Sequence, residues 1–202
     1  PVTLKDSQTK QVEFASAPQI DVDKVYVYES LPSYFRWYGG VYTDPNYGVG
    51  VQEKIRVLIE FTNSEEAGLG IPLPQGTMRV YKEDVGGGAE FIGEDSIEHT
   101  PKDEDMSLFL GNAFDLVGER RQVKFRQIGD RTIEETIEVS LRNHKSEAVT
   151  IRALEYLYRA QDAEIINASA EYTSPSANTA EFNIGVPADG EVVFTYTVRY
   201  RW

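Results

Sequence analysis

Apolar and polar residues alternate with a period of two along most of this chain, and helical periodicity is scarce. From residue 51 the odd positions read Val51, Glu53, Ile55, Val57, Ile59 and Phe61, while the even ones are mostly Gln52, Lys54, Arg56, Glu60 and Thr62. Ile133, Ile137, Val139 and Leu141 alternate with Glu134, Thr136, Glu138 and Ser140. At the end of the chain Val192, Phe194, Tyr196, Val198, Tyr200 and Trp202 share one side, and Thr195, Thr197, Arg199 and Arg201 the other. Successive side chains of a strand point to opposite faces, so the pattern predicts antiparallel sheets with one buried and one wet face. Further strands are expected near 24–30, 77–83, 89–97, 105–111, 119–127, 148–157, 163–169 and 179–185. Gly86-Gly87-Gly88, Gly129-Asp130 and Asp189-Gly190 supply turns between them. A helical turn near 153–160 is the one helix worth considering, and alternation there favours a strand. The chain reads as all-β.

An internal repeat organises these strands. The segment 55–67, an alternating strand ending at Asn63 with an acidic turn and Ala67, resembles 137–148, where the strand ends at Asn143 and Ala148 follows. About forty residues after each Asn come a Pro, a short charged turn and a closing strand: Pro101 to Asp105 in the first copy, Pro187 to Glu191 in the second. Leu4 to Gln8 running into Val12 and Phe14 is a vaguer third echo. Each unit would hold about 85–95 residues and six or seven strands, the size of an immunoglobulin-like sandwich. The expected fold is therefore a pair of tandem immunoglobulin-like antiparallel β-sandwiches, residues 19–112 and 113–202, with 1–18 as the closing strand of an upstream element. The alternative is a single larger sandwich in which chance alternation mimics duplication.

Composition narrows the classes. With 33 Asp and Glu against 20 Lys and Arg, the net charge is −13, which disfavours nucleic-acid binding because the phosphate backbone rewards cations. The 9 Phe, 12 Tyr and 2 Trp are ample for a core. The absence of Cys removes disulfides, thiolate nucleophiles and Cys-ligated metal centres, and fits an exported bacterial protein. Apolar runs are only a few residues long, so no direct membrane insertion is expected. The chain starts Pro1-Val2-Thr3-Leu4 without a basic or apolar leader, as expected of a processed protein or a fragment of something longer.

Several strings together resemble one bacterial family. They are 71–81 from Ile71 to Tyr81, Phe91 to Asp95, His99 to Lys102, Leu110 to Glu119, Leu141 to Lys145 and Pro187 to Glu191. This ordered set is similar to the C-terminal domain of unknown function of the mucoidy inhibitor A-like family, and covers the chain from about Val25. The resemblance implies a longer parent with an N-terminal β domain and a coiled coil, and a place in the periplasm or cell envelope. The family has no established enzymatic activity and no agreed catalytic residues, so the resemblance carries fold and location and almost no function.

Candidate chemistry is thin. His99 and His144 both fall in predicted turns, and no Gly-x-Ser-x-Gly elbow accompanies them, so a hydrolase triad is disfavoured. Gly86-Gly87-Gly88 lacks the Lys-Ser/Thr of a phosphate loop and reads as a hairpin tip. The carboxylates between Glu94 and Asp105 suit Ca²⁺ or Mg²⁺ in type but lack calcium-loop spacing; a solvated acidic turn is the reading, with no metal and no cofactor. Arg120, Arg121, Lys124 and Arg126 form a basic stripe, read as the wet face of an edge strand in preference to a docking stripe.

The unusual stretch is 32–50. Tyr34, Phe35, Trp37, Tyr38, Tyr42 and Tyr47 place six aromatics in fourteen residues, where the chain average of 11% gives about one and a half. Gly and Pro interleave them, so a long ordered loop is expected. Tyr and Trp offer contact area with a polar tip, and Arg36 could add a cation–π contact, so these seven residues are the candidate binding set for a protein or glycan. The competing reading makes them a satellite core that caps the sandwich. The function expected is a non-catalytic envelope module. The alternative is a fragment of an envelope hydrolase whose active site is completed by the missing N-terminal part.

Overall fold

The computed structural model describes residues 20–36, 40–50, 53–84 and 86–202, except the side chains of Ser33 and Arg36. The expected strand in 1–18 lies outside them. Twelve strands follow in order: β1 (Asp23–Glu29), β2 (Arg56–Thr62), β3 (Gly76–Glu83), β4 (Ala89–Ile97), β5 (Asp105–Asn112), β6 (Leu116–Gly129), β7 (Thr132–Asn143), β8 (Val149–Tyr156), β9 (Asp162–Ala168), β10 (Thr173–Ser176), β11 (Thr179–Val186) and β12 (Gly190–Arg201). A four-residue 3-10 turn, Ser33–Arg36, is the single helical element among the described residues, and the protein is all-β. Among the described residues no helix is long and apolar enough to cross a membrane.

Two sheets face each other. One has six strands in the order β10-β11-β8-β1-β2-β5, the other four in the order β6-β7-β12-β9. β3 and β4 form a separate hairpin leaning on β5, where Gly93 lies so close to Leu110 that a Cβ would sit 3.0 Å from the Leu110 backbone. The sequence alternation explains the core. Ile133, Ile137, Val139 and Leu141 of β7 and Phe194, Tyr196, Val198 and Tyr200 of β12 are buried, facing Ile151 and Ala153 of β8 and Phe182 and Ile184 of β11. Rings meet across the interface, with Phe182 centred 4.7 Å from Phe194. Val192 and Trp202, predicted on the same side of the last strand, pack partly buried against this core.

The units expected on either side of residues 112 and 113 share a sheet and a core. β1, from the first expected unit, lies parallel to β8, from the second, with Tyr26 beside Ile151 and Tyr28 beside Ala153. Tyr26, Tyr28 and Ile55 accordingly share one core cluster with Ile137 and Phe194. The physical reason is that β1-β2-β5 leave an open edge at β1, and β8 and β11, inserted after Asn143, extend the sheet from that edge. The two units are therefore not independent sandwiches.

The basic stripe needs correcting. A β-bulge between Gln122 and Lys124 adds one residue to β6 and switches which parity faces inward. Before the bulge Leu116, Gly118 and Arg120 face inward, Arg120 at 7% exposure, while Arg121 on the other face and Arg126 beyond the bulge lie outside against Glu138 and Glu134 of β7.

Candidate functional site

The aromatic loop lies over one end of the sandwich. Of its six predicted rings, Trp37 and Tyr38 lie outside the described residues, as does the Arg36 side chain. The others form one continuous run. Tyr34, 67% exposed, sits 4.6 Å from Phe35; Phe35 meets Tyr47 edge-on at 5.2 Å; and Tyr47 stacks on Tyr42 at 4.2 Å with planes only 7° apart. Phe35 is buried against Leu31, Tyr156 and Tyr158, while Tyr42 and Tyr47 are half-buried. The loop is thus part core and part surface, and the two readings of it divide by residue.

What fixes its backbone is a guanidinium. Arg159 follows β8, is fully buried, and donates to the carbonyl oxygens of Tyr42 (3.2 Å), Asp44 (2.7 Å), Pro45 (3.4 Å) and Tyr47 (2.9 Å). Its own carbonyl accepts from the Tyr42 amide at 2.9 Å. Glu135 of β7, also fully buried, balances the charge through a two-point contact at 3.0 and 3.1 Å. The Tyr158 hydroxyl donates to Glu135 Oε1 or to the Tyr47 carbonyl, 3.0 Å from each. Gly48, at φ +77°, continues the loop where a Cβ would meet the Tyr158 ring at 2.9 Å, so glycine is needed there.

A second buried pair stands beside the first. Arg120 Nε lies 3.3 Å from Glu155 Oε2 of β8, and its Nη1 reaches the Gly48 carbonyl at 3.4 Å. The Tyr196 hydroxyl donates to Glu155 Oε2. Tyr158 lies between the two cations, its ring centre 5.5 Å from Arg120 and 5.1 Å from Arg159. Burial pushes the Glu155 carboxyl upward, with the Arg120 charge opposing it. Burial likewise drives the hydroxyls of Tyr28, Tyr158, Tyr196 and Tyr200 well above the ordinary tyrosine range. Removing one member of such a pair strands a buried charge and costs about 3–5 kcal/mol.

The sequence reading missed Glu135, Glu155 and Arg159, and took Arg120 for a surface group. A signal existed. Glu135 occupies the inward parity of β7 between Ile133 and Ile137, and Glu155 that of β8 after Ile151 and Ala153. Charged residues on an otherwise apolar strand face mark buried pairs.

Other candidates are structural. His99 Nδ1 accepts from the Gln75 amide at 3.1 Å, and the Gly86 and Gly88 amides close the hairpin tip on Asp84. A groove of about 790 Å³ at the β2–β5 end is lined by Asp21, Asp23, Glu60 and Asp105. Two of these are already engaged, Glu60 by both Nη atoms of Arg152 and Asp105 by Thr62. Among the described residues no group of three or more His, Cys, Asp or Glu side chains is placed to hold a metal ion.

Fold and site together define an all-β sandwich protein with two buried ion pairs beneath a partly exposed aromatic loop. Comparison with protein-family models, curated proteins and solved structures gives no match.

Proposed function

We propose that this chain is a non-catalytic, exported or cell-envelope module that binds a protein or glycan through the aromatic loop. The observation that carries the reading is the clamp beneath it. Two buried guanidiniums hold five loop carbonyls, those of residues 42, 44, 45, 47 and 48. A loop fixed before it meets a ligand loses little entropy on binding, which suits recognition. Tyr34 and the outer parts of Tyr42 and Tyr47 would be the contact surface. The non-catalytic half of the reading is supported by where the unusual carboxylates lie. Glu135 and Glu155 are fully buried, each facing a cation, and a substrate would have no path to them without displacing the loop. The envelope location rests on the resemblance to the mucoidy inhibitor A-like family.

The test is capture from a detergent extract of bacterial envelope and, separately, retention on peptidoglycan. Tyr34→Ala and Tyr42→Ala should leave the melting temperature within a few degrees and reduce capture or retention at least tenfold. Binding that is unchanged in both variants overturns the reading.

A further inference from the structure

Beside Glu155, where β1 pairs with β8, three buried polar side chains occupy neighbouring positions. In the parallel pairing of β1 and β8, Tyr28 lies beside Ala153 and Glu29 beside Leu154. The Ser30 amide donates to the Leu154 carbonyl at 3.3 Å, which carries the register on and sets Ser30 opposite Glu155. Side chains two apart share a face, so Tyr28, Ser30 and Glu155 all point inward from neighbouring positions. All three are fully buried, and Tyr28 Oη, Ser30 Oγ and Glu155 Oε1 make no hydrogen bond of ordinary geometry among the described residues, although Ser30 lies close enough to Glu155 to help hold its carboxyl down.

We propose that these three oxygens bind one internal water molecule. Buried polar groups are nearly always paired, and internal waters characteristically serve two to four such groups at once. The chemistry selects a neutral ligand that both donates and accepts. Glu155 Oε1 only accepts, whereas each hydroxyl can do either, so a water donating to the carboxylate and to one hydroxyl while accepting from the other satisfies all three. A metal cation is disfavoured because Arg120 already balances the Glu155 charge, and an anion would face the carboxylate. The water would complete a polar column running from Tyr28 through Glu155 and Arg120 to the Gly48 carbonyl, joining the core to the loop.

A high-resolution crystal structure of the full chain tests this directly. The expected result is one peak within about 3 Å of Tyr28 Oη, Ser30 Oγ and Glu155 Oε1. An absent peak, one that misses any of the three, or one at the shorter distances of a bound cation, about 2.4 Å, overturns the proposal. In solution, magnetic relaxation dispersion should count one fewer long-lived water in Ser30→Val than in the parent chain, and an equal count overturns it as well.

Discussion

The junctions at Asn63 and Asn143 are built from the same parts. In each, a buried Asn lies at the end of a central strand, just after β2 or as the last residue of β7, and its Nδ2 donates to the carbonyl of a distant Pro, Pro101 at 2.7 Å or Pro187 at 2.9 Å. Two residues beyond each Pro an Asp turns through positive φ, 66° at Asp103 and 45° at Asp189, and launches the closing strand. The sheets match as well, β1-β2-β5 in the first copy and β6-β7-β12 in the second. The differences lie in what surrounds this shared frame. Asn143 Oδ1 accepts from the Lys145 amide at 2.9 Å, while Asn63 Oδ1 has no partner among the described residues. Eight residues before the junction stands Ile55 in the first copy and Glu135 in the second, both fully buried. Between Asn and Pro the first copy inserts the β3–β4 hairpin, whose Tyr81 and Phe91 remain exposed at 54% and 52%. The second inserts β8, β10 and β11, which extend the first copy's sheet, and β9, which extends its own, and so brings Glu155 and Arg159 under the loop. A repeated local frame thus fixes strand pairing, and the inserted strands decide which copy becomes core.

The largest test probes the core where the copies meet. Above the ordinary tyrosine value near 10, the unfolded chain releases protons that Tyr28, Tyr158, Tyr196 and Tyr200 keep when folded. Stability should then fall as pH rises, by up to about 1.4 kcal/mol per pH unit for each of them. Absorbance at 295 nm should show these four ionising only with unfolding; four that titrate reversibly in the folded protein would break the picture of a shared dry core.

The contrast between Ile55 and Glu135 is tested next. Glu135→Ala should cost about 3–5 kcal/mol in chemical denaturation, since it strands the Arg159 charge. Ile55→Val should cost only about 0.5–1.5 kcal/mol. The double change Glu135→Leu with Arg159→Met should recover most of the first loss while freeing residues 42–48, seen as faster amide exchange there. Equal costs for the two single variants would erase the contrast.

Smaller effects belong to the junctions themselves. Asn143→Ala should destabilise by about 3 kcal/mol and Asn63→Ala by about 2, because the second amide satisfies more backbone groups. The reverse order would show that the unpartnered Asn63 oxygen does not weaken its junction. Asp103→Gly and Asp189→Gly should each change stability by less than about 1 kcal/mol, since relief of positive φ is offset by glycine's chain entropy. Matched shifts in melting temperature would confirm equivalent turns, and shifts of opposite sign would argue that they are unlike.

The frame was legible in the sequence, but the site was not. Alternation marked β7 and β12, the Asn-to-Pro spacing marked both junctions, and the density of rings marked the loop, because each depends on residues near in sequence or on a period fixed by backbone geometry. The inward placement of Glu135 and Glu155 could be read from the same alternation, yet their partners could not. Arg159 finds Glu135 across 24 residues and Tyr42 across 117, and the bulge that separates inward Arg120 from outward Arg126 leaves no mark in composition. Nor does any local pattern specify that β8 should lie parallel to β1 and join the two copies in one sheet. Local sequence therefore determined strands, faces and turns. Only the tertiary structure decided which apolar faces meet, because that choice depends on the total surface buried and on every buried charge finding its counterpart.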